Sequence, residues 1–123
     1  MLWGLPLSKR DFDKLLLEAI DEGLSSLGEA SKKAIYFHLE KKFNIDKQEI
    51  PYRVKDFAGA IKEIFGLGGD VIEITIMERL YEKVGRDIEW RGSEDLTFTK
   101  YVDELKRSFL KGKERRRANR NEP

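Results

Sequence analysis

The segment Ile64 to Gly85 constrains the fold more than any other part of the chain. Gly66, Gly68 and Gly69 lie within four positions of one another and predict a sharp corner, because glycine takes positive φ without a Cβ clash. Asp70 follows where a carboxylate can cap the next helix and accept from its free amides. The apolar set beyond the corner is Val71, Ile72, Ile74, Ile76, Met77, Leu80, Tyr81 and Val84. Two periods compete in it. Ile72, Ile74 and Ile76 alternate as a strand would, while Ile72, Ile76, Leu80 and Val84 recur every four as in a helix. The unbroken length up to Gly85 is too long for an ordinary strand and decides for a helix over 70–84. Apolar positions fall on more than one side, so this helix is expected to be central and the most buried. The glycines do not make a phosphate cradle, since neither a Gly-Lys-Ser/Thr ending nor dinucleotide spacing is present.

The remaining periodicities predict helices around it. In 9–27, Phe12, Leu15, Leu16, Ala19, Ile20, Leu24 and Leu27 follow the i, i+3, i+4 rule, Leu17 stands off the stripe as an exposed leucine, and Gly28 closes the helix. Ser8 with Asp11 resembles a capping box at its start. In 30–43, Ala34, Ile35, His38 and Leu39 share a face, extended by Phe43 and one of Tyr36 or Phe37, and Asn44 suits a left-handed closing residue. A single 3-10-like turn near 46–49 is capped by Asp46 and stopped by Pro51, with Ile45 and Ile50 plugged into the core. The third helix, 53–65, carries Val54, Phe57, Ala58, Ile61, Ile64 and Phe65. The last, 97–111, is capped by Ser93 or Thr97 and carries a clean stripe of Phe98, Tyr101, Val102, Leu105 and Phe109. Trp3 and Leu5 are expected to lie across the core with Pro6 keeping the segment extended, and 86–92 is read as a loop with Trp90 packed back.

The expectation is therefore an all-α fold, one compact domain of five helices with the fourth central. The division along the chain is a core at 1–92, an amphipathic helix at 93–110 packed on that core or on a second copy, and a basic disordered tail at 111–123. A length of 123 residues with 40% apolar and 11% aromatic content supports one such core.

Composition narrows the chemistry. There is no cysteine, which removes disulfides, thiolate nucleophiles and cysteine metal sites. His38 is the single histidine and reads as a half-buried packing residue, and carboxylates alone would hold only hard cations weakly. Ser25 and Ser26 have neither a nearby base nor the glycines of a nucleophile elbow. Glu73 is the one acid on an otherwise apolar face; the helix dipole stabilises it there, or a Lys from a neighbouring helix pairs with it. No catalytic residue, metal or cofactor is assigned, and the chain is read as a non-enzyme. No apolar run approaches the ~20 residues needed to span a bilayer. The start, Met1 to Ser8, is too short for a signal peptide and lacks its basic flank. A cytoplasmic protein is expected, and abundant Lys and Glu with few Met would suit a thermophile.

Charge totals 38% and balances to +1, but unevenly. From Lys100 onward, nine Lys or Arg stand against four Asp or Glu, so a basic end follows a mildly acidic body. Lys111, Lys113, Arg115, Arg116, Arg117 and Arg120 are candidate nucleic-acid contacts, since guanidinium groups take phosphates bidentately and counterion release drives binding without sequence reading. The alternatives are a solvated terminus, an anionic lipid surface or an acidic protein partner. Phe98, Tyr101, Val102, Leu105 and Phe109 are a candidate partner interface, because such a stripe can cover its own core or pair with a second copy as a homodimer seam.

A family resemblance runs over roughly 10–85. It is carried by Leu16-Leu17-Glu18-Ala19-Ile20-Asp21-Glu22-Gly23-Leu24, Leu27-Gly28-Glu29, Ala34-Ile35-Tyr36-Phe37-His38-Leu39-Glu40, Ile50-Pro51, Phe57, and Ile64-Phe65-Gly66-Leu67-Gly68 with Glu73 and Leu80-Tyr81. These residues resemble the archaeal, all-helical Nitrosopumilus-type output domain. The resemblance implies an archaeal origin and an effector role in signalling, and it implies no activity, ligand or catalytic residue. The chain has no room for a sensor or receiver domain, so such a module would act alone or in trans. The reading that results is a regulatory or protein-interaction module, with a small nucleic-acid-binding protein as the alternative and an enzyme as a distant third.

Overall fold

The computed structural model describes residues 9–84 and 97–120, with side chains over 10–84 and 97–110. In chain order it contains α1 (Lys9–Ser25), α2 (Glu29–Phe43), a 3-10 turn (Lys47–Tyr52), α3 (Val54–Phe65), a second 3-10 turn (Gly66–Gly68), α4 (Gly69–Val84) and α5 (Phe98–Arg120). The fold is all-α, and the described residues contain no strand. The expectations for Trp3, Leu5, Pro6, Ser8, the loop at 86–92 with Trp90, and Ser93 lie outside the described residues.

α4 packs most extensively on α1 and also meets α3 and α5, which bears out its central place, but it is not the most buried helix as expected: it buries Gly69, Ile72, Ile76 and Leu80, fewer residues than α1, because its neighbours cover one side of it. The buried line of α1 is Phe12, Leu16, Ala19, Ile20, Gly23 and Leu24. Gly23 is where α4 crosses. A Cβ there would stand 2.6 Å from Ile76 Cγ1 and 3.5 Å from the Ile76 Cα, so the missing side chain sets how closely the two helices approach. Leu17, expected in solvent, is partly buried against the core, and Leu27 is 41% exposed. The cause is the end of α1. Leu27 N–H donates to Leu24 O at 3.0 Å and Gly28 N–H to Ser25 O at 2.9 Å, so the helix stops at Ser25 in a tightened turn and Gly28 leaves at φ 104°.

α2 buries only Ile35 and Leu39, with Tyr36 and Phe43 half-covered. Ala34 and His38 are exposed, contrary to the expected broad face, because α2 lies at the edge of the bundle and presents one narrow line to it. Asn44 closes the helix at φ 54°, as expected of an αL residue. Ile45 and Ile50 are both essentially fully buried. The turn between them continues through Pro51 to Tyr52, since a 3-10 turn tolerates a proline inside it. Arg53 Nη1 donates to Asn44 O at 2.6 Å and Arg53 Nε to Asp56 Oδ2 at 3.1 Å, tying this connection to the start of α3.

The glycine corner divides its labour differently from expectation. Only Gly66 has positive φ, at 58° with ψ −131°, a conformation reserved for glycine. Gly69 is helical and buried; a Cβ on it would sit 3.2 Å from Ile61 O, so it lets the first turn of α4 rest against the last turn of α3. Gly68 meets neither demand. Because α4 begins at Gly69, Asp70 lies within its first turn rather than at its cap.

α5 lays its stripe into the core. Phe98, Tyr101, Val102, Leu105 and Phe109 are all under 9% exposed. Phe98 faces Phe57 with ring centroids 6.1 Å apart, Phe109 meets Phe12 edge-on at 5.8 Å, and Tyr101 OH donates to Met77 O at 3.2 Å. Burying such side chains is worth about 1.5–3 kcal/mol each. The backbone stays helical to Arg120, beyond the expected end at 111, because Lys, Glu, Arg and Ala favour a helix whether or not it packs. Thr97 supplies a cap, with Lys100 N–H donating to Thr97 Oγ1 at 3.2 Å.

Candidate interaction surface

The ionisable side chains of the core-facing surfaces are spent on joining helices. Asp21 of α1 accepts from Lys32 Nζ at 3.2 Å, Tyr36 OH at 3.1 Å and Lys47 Nζ at 3.2 Å, so one carboxylate binds α1 to α2 and to the first 3-10 turn. Lys47 also lies 4.9 Å from the centre of the Tyr36 ring. Burial pushes the Asp21 carboxyl up, but the donations from Lys47, Lys32 and Tyr36 outweigh it and hold the group below the ordinary aspartate value. The Tyr36 hydroxyl is pushed well up by burial and by the Asp21 charge. Lys83 of α4 pairs with Glu22 and stands 3.8 Å from Glu18, both on α1. Asp13 is 6% exposed with Lys106 Nζ of α5 at 3.9 Å.

None of the residues weighed for chemistry joins a site. His38 is exposed and makes an edge contact with Phe43 at 5.9 Å. Ser26 Oγ donates to Gly23 O at 2.6 Å and finishes α1. Glu73 is half-buried; burial and the neighbouring Asp70 raise its carboxyl above the ordinary value, while Lys62 of α3 pulls the other way. Among the described residues no group of three or more His, Cys, Asp or Glu is placed to hold a metal ion, and no helix is long and apolar enough to cross a membrane.

Of the two readings of the α5 stripe, a cover for its own core or a seam with a second copy, the structure shows the first. A two-fold seam through Phe98, Tyr101, Val102, Leu105 and Phe109 would compete with those internal contacts. Lys111, Lys113, Arg115, Arg116, Arg117 and Arg120 share the helical extension of α5, and their side chains lie outside the described residues.

The surface that sequence reasoning missed is the outer face of α4. Its inner line is Gly69, Ile72, Ile76 and Leu80, all buried. Opposite it, Leu67, Val71 and Ile74 are 90%, 67% and 53% exposed. Val71 and Ile74, three residues apart, share one face of α4, and Leu67 stands in the glycine corner just before that helix begins. Phe37 and Tyr52 are also exposed, but each stands singly on another element, and Lys41 Nζ lies 5.8 Å from the centre of the Phe37 ring. Scattered exposed apolar residues are ordinary; neighbours on one face are not. A helical wheel of α4 shows it, because positions 71 and 74 lie opposite 72, 76 and 80.

The described residues form an all-α fold of five helices, and among them the outer face of α4 is an apolar helix face left exposed. No protein-family model, curated protein or solved structure matches the chain.

Proposed function

We propose that the chain is a non-catalytic interaction module whose working surface is the outer face of α4. The observation that carries this reading is the exposure of Val71 and Ile74 on one face of a helix whose opposite line is buried, with Leu67 exposed in the corner beside it. Side chains of that kind cost solubility and add nothing to the core, which is the signature of a surface kept for a partner. The pairing of Asp21, Glu22, Lys32, Lys47 and Lys83 between helices agrees with it, since these groups serve packing rather than a reaction. The resemblance to the Nitrosopumilus-type output domain points the same way, towards an effector in an archaeal signalling system, and a cytoplasmic location goes with it. A helix-turn-helix use of α3 and α4 fits poorly, because α4 would offer a nucleic acid mainly apolar and acidic side chains.

The test is site-specific photocrosslinking in extract of the source organism. A photoreactive residue at Val71 is expected to give discrete adducts that disappear when Leu67 is also changed to Ser, while the same residue at Glu40 gives none. Equal labelling from both positions would remove the reading.

A second reading attaches to the end of α5. The helix continues ten residues past Leu110, about 15 Å at 1.5 Å per residue, and carries six cations against Glu114 there. That geometry favours phosphate contact along a nucleic acid. Anisotropy of labelled DNA and RNA, measured across a salt series with the full chain and with a chain ending at Leu110, decides it. Binding that weakens steeply with salt and is lost on truncation supports the reading, and flat curves from both chains reject it.

A further inference from the structure

We infer that the occupant of the α4 face is a basic amphipathic helix of a partner protein; the inference rests on the interaction-module reading and adds the partner's chemistry. Val71 and Ile74 form an exposed apolar face on α4 that Leu67 extends at the corner, so the complementary element is a helix with apolar residues at i, i+3 or i+4, and i+7. The border of the line is acidic. Asp70, Glu78 and Glu82 are exposed on or beside it, and no Lys or Arg occurs from Gly66 to Glu78. Of the cations further along α4, Arg79 stands 3.9 Å from Glu82 and offsets that acid, while Lys83 is turned to Glu22 and Glu18 on α1, which leaves Asp70 and Glu78 as the acids of the border. Lys62 acts on Glu73, on the flank towards α3 rather than on the outer line.

This border discriminates among occupants. A membrane with anionic lipids would repel Asp70 and Glu78. A second copy docked face to face would bring the same acids against each other across the two-fold, which is costly. The chain's own stretch from Lys111 to Arg120 supplies cations to match the border, but its only apolar side chain beyond the glycine is Ala118, so it leaves the line uncovered. A partner helix that is apolar on one side and rich in Lys or Arg beside it satisfies both parts.

The experiment uses the full chain and a synthetic helical peptide of about five turns, with Leu on the i, i+3, i+4, i+7 positions and Lys elsewhere. One control peptide carries Glu in place of every Lys, and a second scrambles the order. Binding is read by fluorescence anisotropy, and self-association by sedimentation velocity. The Lys peptide is expected to bind. Its affinity should fall about tenfold or more in the variant Val71→Ser/Ile74→Ser, fall several-fold in Asp70→Asn/Glu78→Gln, and decline with salt. These substitutions are at exposed positions, and circular dichroism checks that each variant stays folded. If the Glu peptide binds equally and still depends on Val71 and Ile74, the basic partner is wrong while the docking face stands. If no peptide distinguishes the wild-type face from Val71→Ser/Ile74→Ser, both this inference and the proposed working surface fall. If the scrambled peptide binds as well as the ordered one, the contact is mere charge and the inference fails. A dimer that Val71→Ser/Ile74→Ser dissolves would assign the face to a second copy instead.

Discussion

α4 and α5 exchange the roles that their sequences suggest. α5 has a one-sided stripe, Phe98, Tyr101, Val102, Leu105 and Phe109, that suits either its own core or a seam with a second copy, and all of it is sealed into this chain's core. α4 has apolar residues all round, which looks like a helix buried on every side, and Val71 and Ile74 stand in solvent. A narrow stripe is what one bundle can cover completely. A helix with apolar residues on opposite sides needs neighbours on both, and α1, α3 and α5 close off only the side of Ile72, Ile76 and Leu80. The surplus on α4, rather than the regularity of α5, marks the surface left for something else.

The sharpest way to break this contrast is at Leu105, which is 2% exposed. Leu105→Asp buries an unpaired carboxylate and is expected to abolish cooperative unfolding, seen as loss of the helical signal on mild heating. A folded monomer from Leu105→Asp would return α5 to the role of an intermolecular seam. Next in size is the α1–α4 crossing. Gly23→Ala places a methyl against Ile76, and is expected to cost about 1–3 kcal/mol in chemical denaturation. Gly59 on α3 is helical and meets nothing within 4 Å, so Gly59→Ala should instead stabilise by about 0.5–1 kcal/mol. The same sign at both positions would deny that close packing distinguishes the crossing.

The smallest effect concerns the Asp21 cluster. Its carboxyl is held below the value it has in the unfolded chain, so it contributes stability above that unfolded value and loses it as pH falls through the folded one. Asp21→Asn should therefore cost under about 1 kcal/mol at neutral pH, since the group is partly solvated, and the difference from wild type should shrink on acidification below the ordinary aspartate range. A difference that persists unchanged at low pH would mean that the loss is not electrostatic.

Most of the fold was legible because its signals were local and redundant. The spacing of Phe12, Leu16, Ile20 and Leu24, the left-handed Asn44 and the positive φ of Gly66 each follow from residue chemistry alone. What could not be read depended on which neighbours arrive. The need for Gly23 is set by where Ile76 crosses, and the need for Gly69 by the carbonyl of Ile61, neither of which has a signature nearby in sequence. The exposure of Ala34 and His38 follows from the edge position of α2, which its own pattern does not record. The candidate surface failed for a different reason. Counting apolar residues on α4 hid their angular arrangement, although that arrangement was present in the spacing of Val71 and Ile74.

Ile74 and Ile76 make the decisive pair: one residue type, two positions apart on one helix, with 53% and 0% exposure. Chemical denaturation of Ile74→Ala and Ile76→Ala, run side by side, tests the two-faced helix directly. Ile76→Ala is expected to lose about 2–5 kcal/mol and Ile74→Ala less than about 0.5 kcal/mol. Equal losses at the two positions would show that the outer face of α4 is part of the core and not a surface left open for a partner.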